Sequence, residues 1–172
     1  MNDTHLHPPT PEAINSARNA ILIGSDPLGE AFYALRDAAT RRAVGAIYTP
    51  EPIVTPMVQW VMDQQPARIV DAGSGSGRYT AEVLRRDPNA VVVSIDLDPV
   101  ATLMTRAVVS VLGGTKTRVR NMDFTRLTLP AIKGTTAFIG NPPYLRHHQV
   151  PTATKVWAQE TARTLGHKIS GL

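Results

Sequence analysis

The sequence predicts an α/β domain: a parallel sheet of about four strands with helices between them and a helical preface in front. Three observations carry that expectation. Short strand-like runs recur at 67–70, 90–95, 118–122 and 137–139, apolar except for the third, each leading into a polar residue. The stretches after the first two carry apolar residues at helical spacing, the alternation that builds parallel sheets. The first run enters a glycine-rich turn, Asp71-Ala72-Gly73-Ser74-Gly75-Ser76-Gly77, completing a strand, tight turn and helix.

Each element has a local reason. Residues 1–25 read as a weakly ordered lead-in, with prolines at 8, 9 and 11 and no signal-peptide core. Residues 26–172 read as the amino-terminal part of one catalytic domain. Asp26-Pro27 starts a helix with Leu28, Phe32, Leu35 and Ala39 on one stripe, ending near Gly45. A loop at Tyr48-Thr49-Pro50 follows, and Thr55-Pro56 opens a second helix turning Met57, Trp60 and Val61 inward. After the glycine turn, a helix from Ser76 carries Thr80, Val83 and Leu84 on one face and stops at Asp87-Pro88. Asp98 precedes Pro99 and an apolar helix closed by Gly113-Gly114, so it reads as the N-cap with proline at the first helical position. Residues 151–165 have a helical rhythm with Gly166 as a stop. No strand follows, so the fourth is expected at an open edge of the sheet.

The chemistry is concentrated where the strands end. Gly73, Gly75 and Gly77 allow close backbone approach to a ligand, and the following helix N-terminus presents free N–H groups. A dinucleotide fingerprint would place its last glycine at position 78, which is Arg78. Asp96 follows Gly77 by about 19 residues, at the carboxyl end of the second strand, where an acidic side chain accepts from ribose hydroxyls. Asp123 and Phe124 end the third strand and suit an exocyclic amine and an adenine ring; a capping Asp and a core Phe are the equal alternative. After the fourth strand comes Asn141-Pro142-Pro143-Tyr144. The two prolines fix φ and remove two donors, leaving rigid carbonyls as acceptors. Asn141 and the Pro142 carbonyl can accept the two hydrogens of an NH₂ group, and Tyr144 offers a flat face for a planar ring. An open parallel sheet places Asp71, Asp96, Asp123 and Asn141 along one rim.

These motifs, in this order and with Gly45-Ala46-Ile47-Tyr48-Thr49-Pro50 ahead of them, resemble the amino-terminal part of an N6-adenine DNA methyltransferase whose cofactor motifs precede its catalytic motif. The resemblance runs from about Leu28 to the end. It implies a Rossmann-like S-adenosylmethionine-dependent fold with a truncated sheet, and restriction-modification methylases as the nearest kind. It implies that Tyr48, Thr49 and Pro50, with Asp71, Ala72 and the backbone of Gly73, Gly75 and Gly77, hold the methionine end of S-adenosyl-L-methionine. Asp96 and Leu97 would take its ribose, Asp123 and Phe124 its adenine, and Asn141, Pro142, Pro143 and Tyr144 the target base. Double-stranded DNA is the implied partner, with a second chain or domain supplying the missing strands and target recognition. A protein-glutamine or RNA N-methyltransferase, or a non-catalytic cofactor-binding remnant, stays open as an alternative.

Composition sets the bounds. The chain has 172 residues, 42% of them apolar, enough for one core. It has no cysteine, which rules out disulfides, thiolate metal sites and the thiol nucleophile of carbon-5 cytosine methylation, and suits a cytoplasmic protein. No apolar run reaches the roughly 18 residues of a membrane helix. His147-His148 has no carboxylate at ligand spacing, so no metal site is expected. The net charge of +4 suits a polyanionic partner. Arg146, His147 and His148 follow the Asn141 turn and are the cations placed to meet phosphates.

Overall fold

The computed structural model describes residues 8–35, 49–141 and 150–169. In chain order the elements are α1 (Pro11–Leu22), α2 (Pro27–Leu35), α3 (Glu51–Asp63), β1 (Arg68–Ala72), α4 (Arg78–Arg86), β2 (Val92–Asp96), α5 (Pro99–Val111), β3 (Arg118–Asn121), a short 3₁₀ turn (Phe124–Arg126), β4 (Thr136–Ile139) and α6 (Thr152–Thr164). The strands form one parallel sheet in the order β3-β2-β1-β4.

That order follows from the connections. β1 to β2 and β2 to β3 step outward through α4 and α5, and the chain then returns past β1 to lay β4 on its other side. The direction of winding therefore reverses between β1 and β4. In open α/β sheets a crevice forms at that reversal, outside the carboxyl ends of the two strands. β1 ends in the glycine turn and β4 ends at Asn141, so the topology brings these two segments together.

One sheet face is covered by helices. Ile69, Val92 and Ile139 pack against Val54, Val58 and Val61 of α3 and Tyr79, Val83 and Leu84 of α4. Val58, Val83, Leu84 and Val92 are completely shielded from water. The other face, Val70, Val93 and Ile95, is met by Met122, Leu127 and Leu129 from the segment linking β3 to β4. At the β4 edge Phe138 remains 57% exposed.

Several sequence expectations need correction. The lead-in is not weakly ordered over Pro11–Leu22: Thr10 accepts from the Ala13 N–H, Pro11 takes a first-turn position, and Ile21 is buried against Ala81 and Val108. The helix expected from Thr55-Pro56 starts earlier, at Glu51, because a proline in the first turn lacks only an N–H that would have no partner there. The helix expected from Ser76 starts at Arg78, since Gly77 has φ 90° and cannot be helical. Strand limits shift by one or two residues. The helix from Pro27 runs to Leu35 within the described residues, but Leu35 is exposed and leaves the stripe of Leu28 and Phe32; Ala39 and Gly45 lie outside the described residues.

Candidate functional site

The glycine turn is held by both strands and helices. The Gly73 and Ser74 N–H groups donate to the Ile95 carbonyl at 2.8 and 2.9 Å, and the Gly75 N–H donates to Asp96 Oδ2 at 2.7 Å. Asp96 thus stands at the end of β2 with its carboxylate already drawn towards the turn; its Oδ1 accepts from the Asp98 N–H at 2.8 Å. Asp98 caps α5 through the Val100 N–H, as its position before Pro99 predicts. Leu97, next to Asp96, is 74% exposed, and its carbonyl accepts from Asn121 at the end of β3.

Asp71 is the most constrained group of the rim. It has no exposed surface, and Oδ2 accepts from the Thr80 hydroxyl at 2.6 Å and the Thr80 N–H at 3.2 Å. Thr80 Oγ1 also lies 2.7 Å from Ser94 Oγ, so a small buried polar cluster joins β1, α4 and β2. Oδ1 has no partner among the described residues. Burial pushes the Asp71 carboxyl up to about 6; the two Thr80 bonds oppose that shift, and the charge of Asp96 adds to it. Desolvation outweighs the hydrogen bonds here because only one of the two oxygens is served.

A cleft collects the segments that the sequence singles out. It is lined by Thr49, Gly73, Ser74, Gly75, Ser76, Arg78, Tyr79 and Asn141. Thr49 is buried, its hydroxyl 3.4 Å from the Tyr79 hydroxyl and its carbonyl accepting from Arg78 Nη1 at 2.8 Å. Pro50 is exposed at the start of α3. Gly140 has no room for a side chain: a Cβ there would stand 2.6 Å from the Ala72 carbonyl oxygen. The exits of β1 and β4 are therefore in backbone contact.

Asp123 and Phe124 lie at the end of β3, outside that lining. Asp123 Oδ1 accepts from the Thr125 N–H and hydroxyl at 2.9 and 2.8 Å, the capping role that was the alternative reading. Phe124 is 38% exposed and meets Phe138 edge-on at 6.2 Å, so it is not a core residue. Tyr48, Pro142, Pro143 and Tyr144, with Arg146, His147 and His148, lie outside the described residues. Sequence reasoning missed Arg78, Tyr79 and Asp26. The available signal was the arginine standing where a dinucleotide turn has its last glycine.

Fold and rim together define a Rossmann-like α/β domain of the kind used by S-adenosylmethionine-dependent methyltransferases. The chain is 45% identical over 130 residues, 74% of its length, to the Type II methyltransferase M.XamI of Xanthomonas campestris pv. amaranthicola, and it spans about a quarter of the length of that curated relative. This bears out the methyltransferase resemblance drawn from the motifs. Among solved structures the chain is similar to a modification subunit assigned to a type I restriction enzyme from Vibrio vulnificus YJ016, at 18% identity and TM-score 0.45, covering 71% of this chain and 26% of that one. It is also similar to the plantazolicin methyltransferase BpumL in complex with SAH, at 16% identity and TM-score 0.35, covering 67% and 45%. No family model matches the chain.

Proposed function

We propose that this chain forms the donor-binding and base-accepting part of a DNA methyltransferase that places a methyl group on the N6 amine of an adenine in duplex DNA. The observation that carries this reading is the cleft at the sheet's reversal point, where Thr49, the glycine turn and Asn141 meet. The residues suit the donor. S-adenosylmethionine carries positive charge and a ribose diol, and the rim offers the carboxylate of Asp96, with the buried carboxyl of Asp71 beneath the glycine turn, one of its oxygens without a partner among the described residues. A phosphate-rich dinucleotide would meet like charge at the same places.

When bound, S-adenosylmethionine supplies an electrophilic methyl group on a sulfonium sulfur. The glycine turn and Thr49 would hold its amino-acid end, Asp96 its ribose, and Asp123 with Phe124 its adenine. The target adenine leaves the duplex, at a cost of a few kcal/mol in stacking and pairing, to reach the cleft. Asn141 and the Pro142 carbonyl accept the two amino hydrogens and Tyr144 stacks on the ring, which aims the nitrogen lone pair at the methyl carbon. The bond from nitrogen to the methyl carbon would form as the sulfur–methyl bond breaks, the leaving group being neutral S-adenosylhomocysteine, and the positively charged nitrogen would then lose one proton to water. Alignment and fixed dipoles supply the acceleration, with neither a metal nor a covalent enzyme intermediate. Duplex DNA is the partner, the cytoplasm the compartment, and reading of the target sequence falls to a further domain or a second chain.

Calorimetry with S-adenosylhomocysteine, followed by tritiated methyl transfer to adenine-rich duplex, RNA and release-factor protein, tests the reading. Binding with label on N6 of adenine in duplex is expected. Label on RNA or on glutamine moves the substrate class, and binding without transfer to any acceptor makes the chain a cofactor-binding subunit.

A further inference from the structure

We propose that Asp26 and Arg78 are a positioning pair that holds the Thr49 loop and the glycine turn at a fixed spacing across the donor cleft. The inference deepens the proposed function and rests on it. Asp26 caps α2 with one oxygen, Oδ1 accepting from the Gly29 N–H at 2.9 Å. Its other oxygen reaches away from the helix and accepts from Ser76 Oγ at 2.5 Å and Arg78 Nε at 2.6 Å. Arg78 in turn donates from Nη1 to the Thr49 carbonyl at 2.8 Å. Two side chains thereby join the helical preface, the last part of the glycine turn and the Thr49 loop. Thr49, Ser76 and Arg78 all line the cleft.

A plain helix cap would need only Oδ1. The second oxygen makes two further bonds to residues about 50 positions away, and the ion pair is mostly shielded, with side-chain exposures of 24% for Arg78 and 14% for Asp26. Shielded, charge-assisted bonds are stronger than solvent-exposed pairs, which salt and water screen. Gly29 shows that the seat is shaped for this contact. A Cβ there would stand 2.1 Å from Asp26 Oδ2 and 2.6 Å from Ser76 Oγ. Alanine is the better helix former, so local propensity opposes the residue that packing requires.

Close packing does not replace the pair. A cavity of about 160 Å³ opens beside it, lined in part by Asp26, Glu30, Glu51, Glu82 and Arg85. The same cavity borders Ser76, Gly77 and Arg78, so at the end of the turn the Arg78 fork, rather than close packing, makes the link to the Thr49 carbonyl. Lysine cannot substitute, because Nε and Nη1 of one guanidinium serve two acceptors in different segments.

The test compares Asp26→Ala, Arg78→Lys and Gly29→Ala with a control, Leu35→Ala, on the exposed face of the same helix. Two quantities are read: S-adenosylhomocysteine affinity by calorimetry, and amide hydrogen exchange of the free protein. Each of the three variants should weaken affinity at least tenfold and speed exchange at Thr49 and residues 73–77, while β2 keeps its protection; the control should match the parent. Asp26→Ala combined with Arg78→Lys should be no worse than the worse single variant, because the two act as a unit. Parental affinity in all three, or exchange quickened equally in β2, overturns the inference and leaves a purely structural tie. If the parent chain binds no S-adenosylhomocysteine, the proposed function fails. The exchange data then decide the pair alone, and unchanged exchange at Thr49 and 73–77 rejects it.

Discussion

Asp71 shows what a buried carboxylate does to the fold. Its carboxyl sits at about 6 instead of 3.8, so the folded chain holds this proton more tightly than the unfolded one. The contribution to stability is fully present below about pH 4 and is lost as pH rises through about 6, with a magnitude on the order of 3 kcal/mol. Urea unfolding of the parent should therefore show a downward slope between pH 4 and 6.5 that Asp71→Asn lacks; parallel curves would contradict the burial argument. Donor affinity should run the other way, rising with pH through the same window, because only the ionised group complements a cation. At the base end, Asn141→Ala should abolish methyl transfer with S-adenosylhomocysteine affinity kept within a few fold, whereas Asp96→Ala should weaken that affinity first. The reverse pattern in calorimetry and transfer assays would mean the two pockets are exchanged. The positions of Asp71, Asp96 and Asn141 at the ends of strands were legible in the sequence because each closes an apolar run. Arg78, Asp26 and the Thr80–Ser94 contact were not, since their partners are fixed by tertiary proximity and leave no periodic trace.

Elements were read best where a cap and an apolar stripe agree. Asp98 before Pro99 located the start of α5, and its side chain accepts from the Val100 N–H at 2.8 Å. Asp98→Ala should cost about 1 kcal/mol, seen as a lower midpoint in thermal or denaturant unfolding. Leu84, fully buried between α4 and the sheet, should cost about 2–5 kcal/mol on truncation to alanine, several times the cap. The amino-terminal segment was misread because prolines 8, 9 and 11 suggested disorder. Thr10-Pro11-Glu12 is equally a helix start, and what decides between the two is the burial of Ile21 against α4 and α5, a long-range fact. The early start of α3 has the same lesson, since proline punctuates a loop or opens a helix according to whether the residues after it can bury an apolar stripe.

Across the whole molecule the parallel sheet was foreseen, and its order was not. Apolar runs and helical spacing announce strands and crossovers, but the return of β4 to the far side of β1 depends on which faces the helices cover. That order makes β1 and β2 the interior strands and leaves β3 and β4 at the edges. Amide exchange should accordingly be slowest in Arg68–Ala72 and Val92–Asp96 and faster in Thr136–Ile139, where Phe138 is more than half exposed. Equal protection in β4 would show that something in solution covers that edge. The contact between Gly140 and the Ala72 carbonyl has a wider consequence for the proposed reaction. The interval a methyl group must cross is gauged by main chain, as a fixed calliper gauges a part. Redesigning the surrounding side chains for another amine leaves that calliper set, while one added carbon at position 140 jams its jaws.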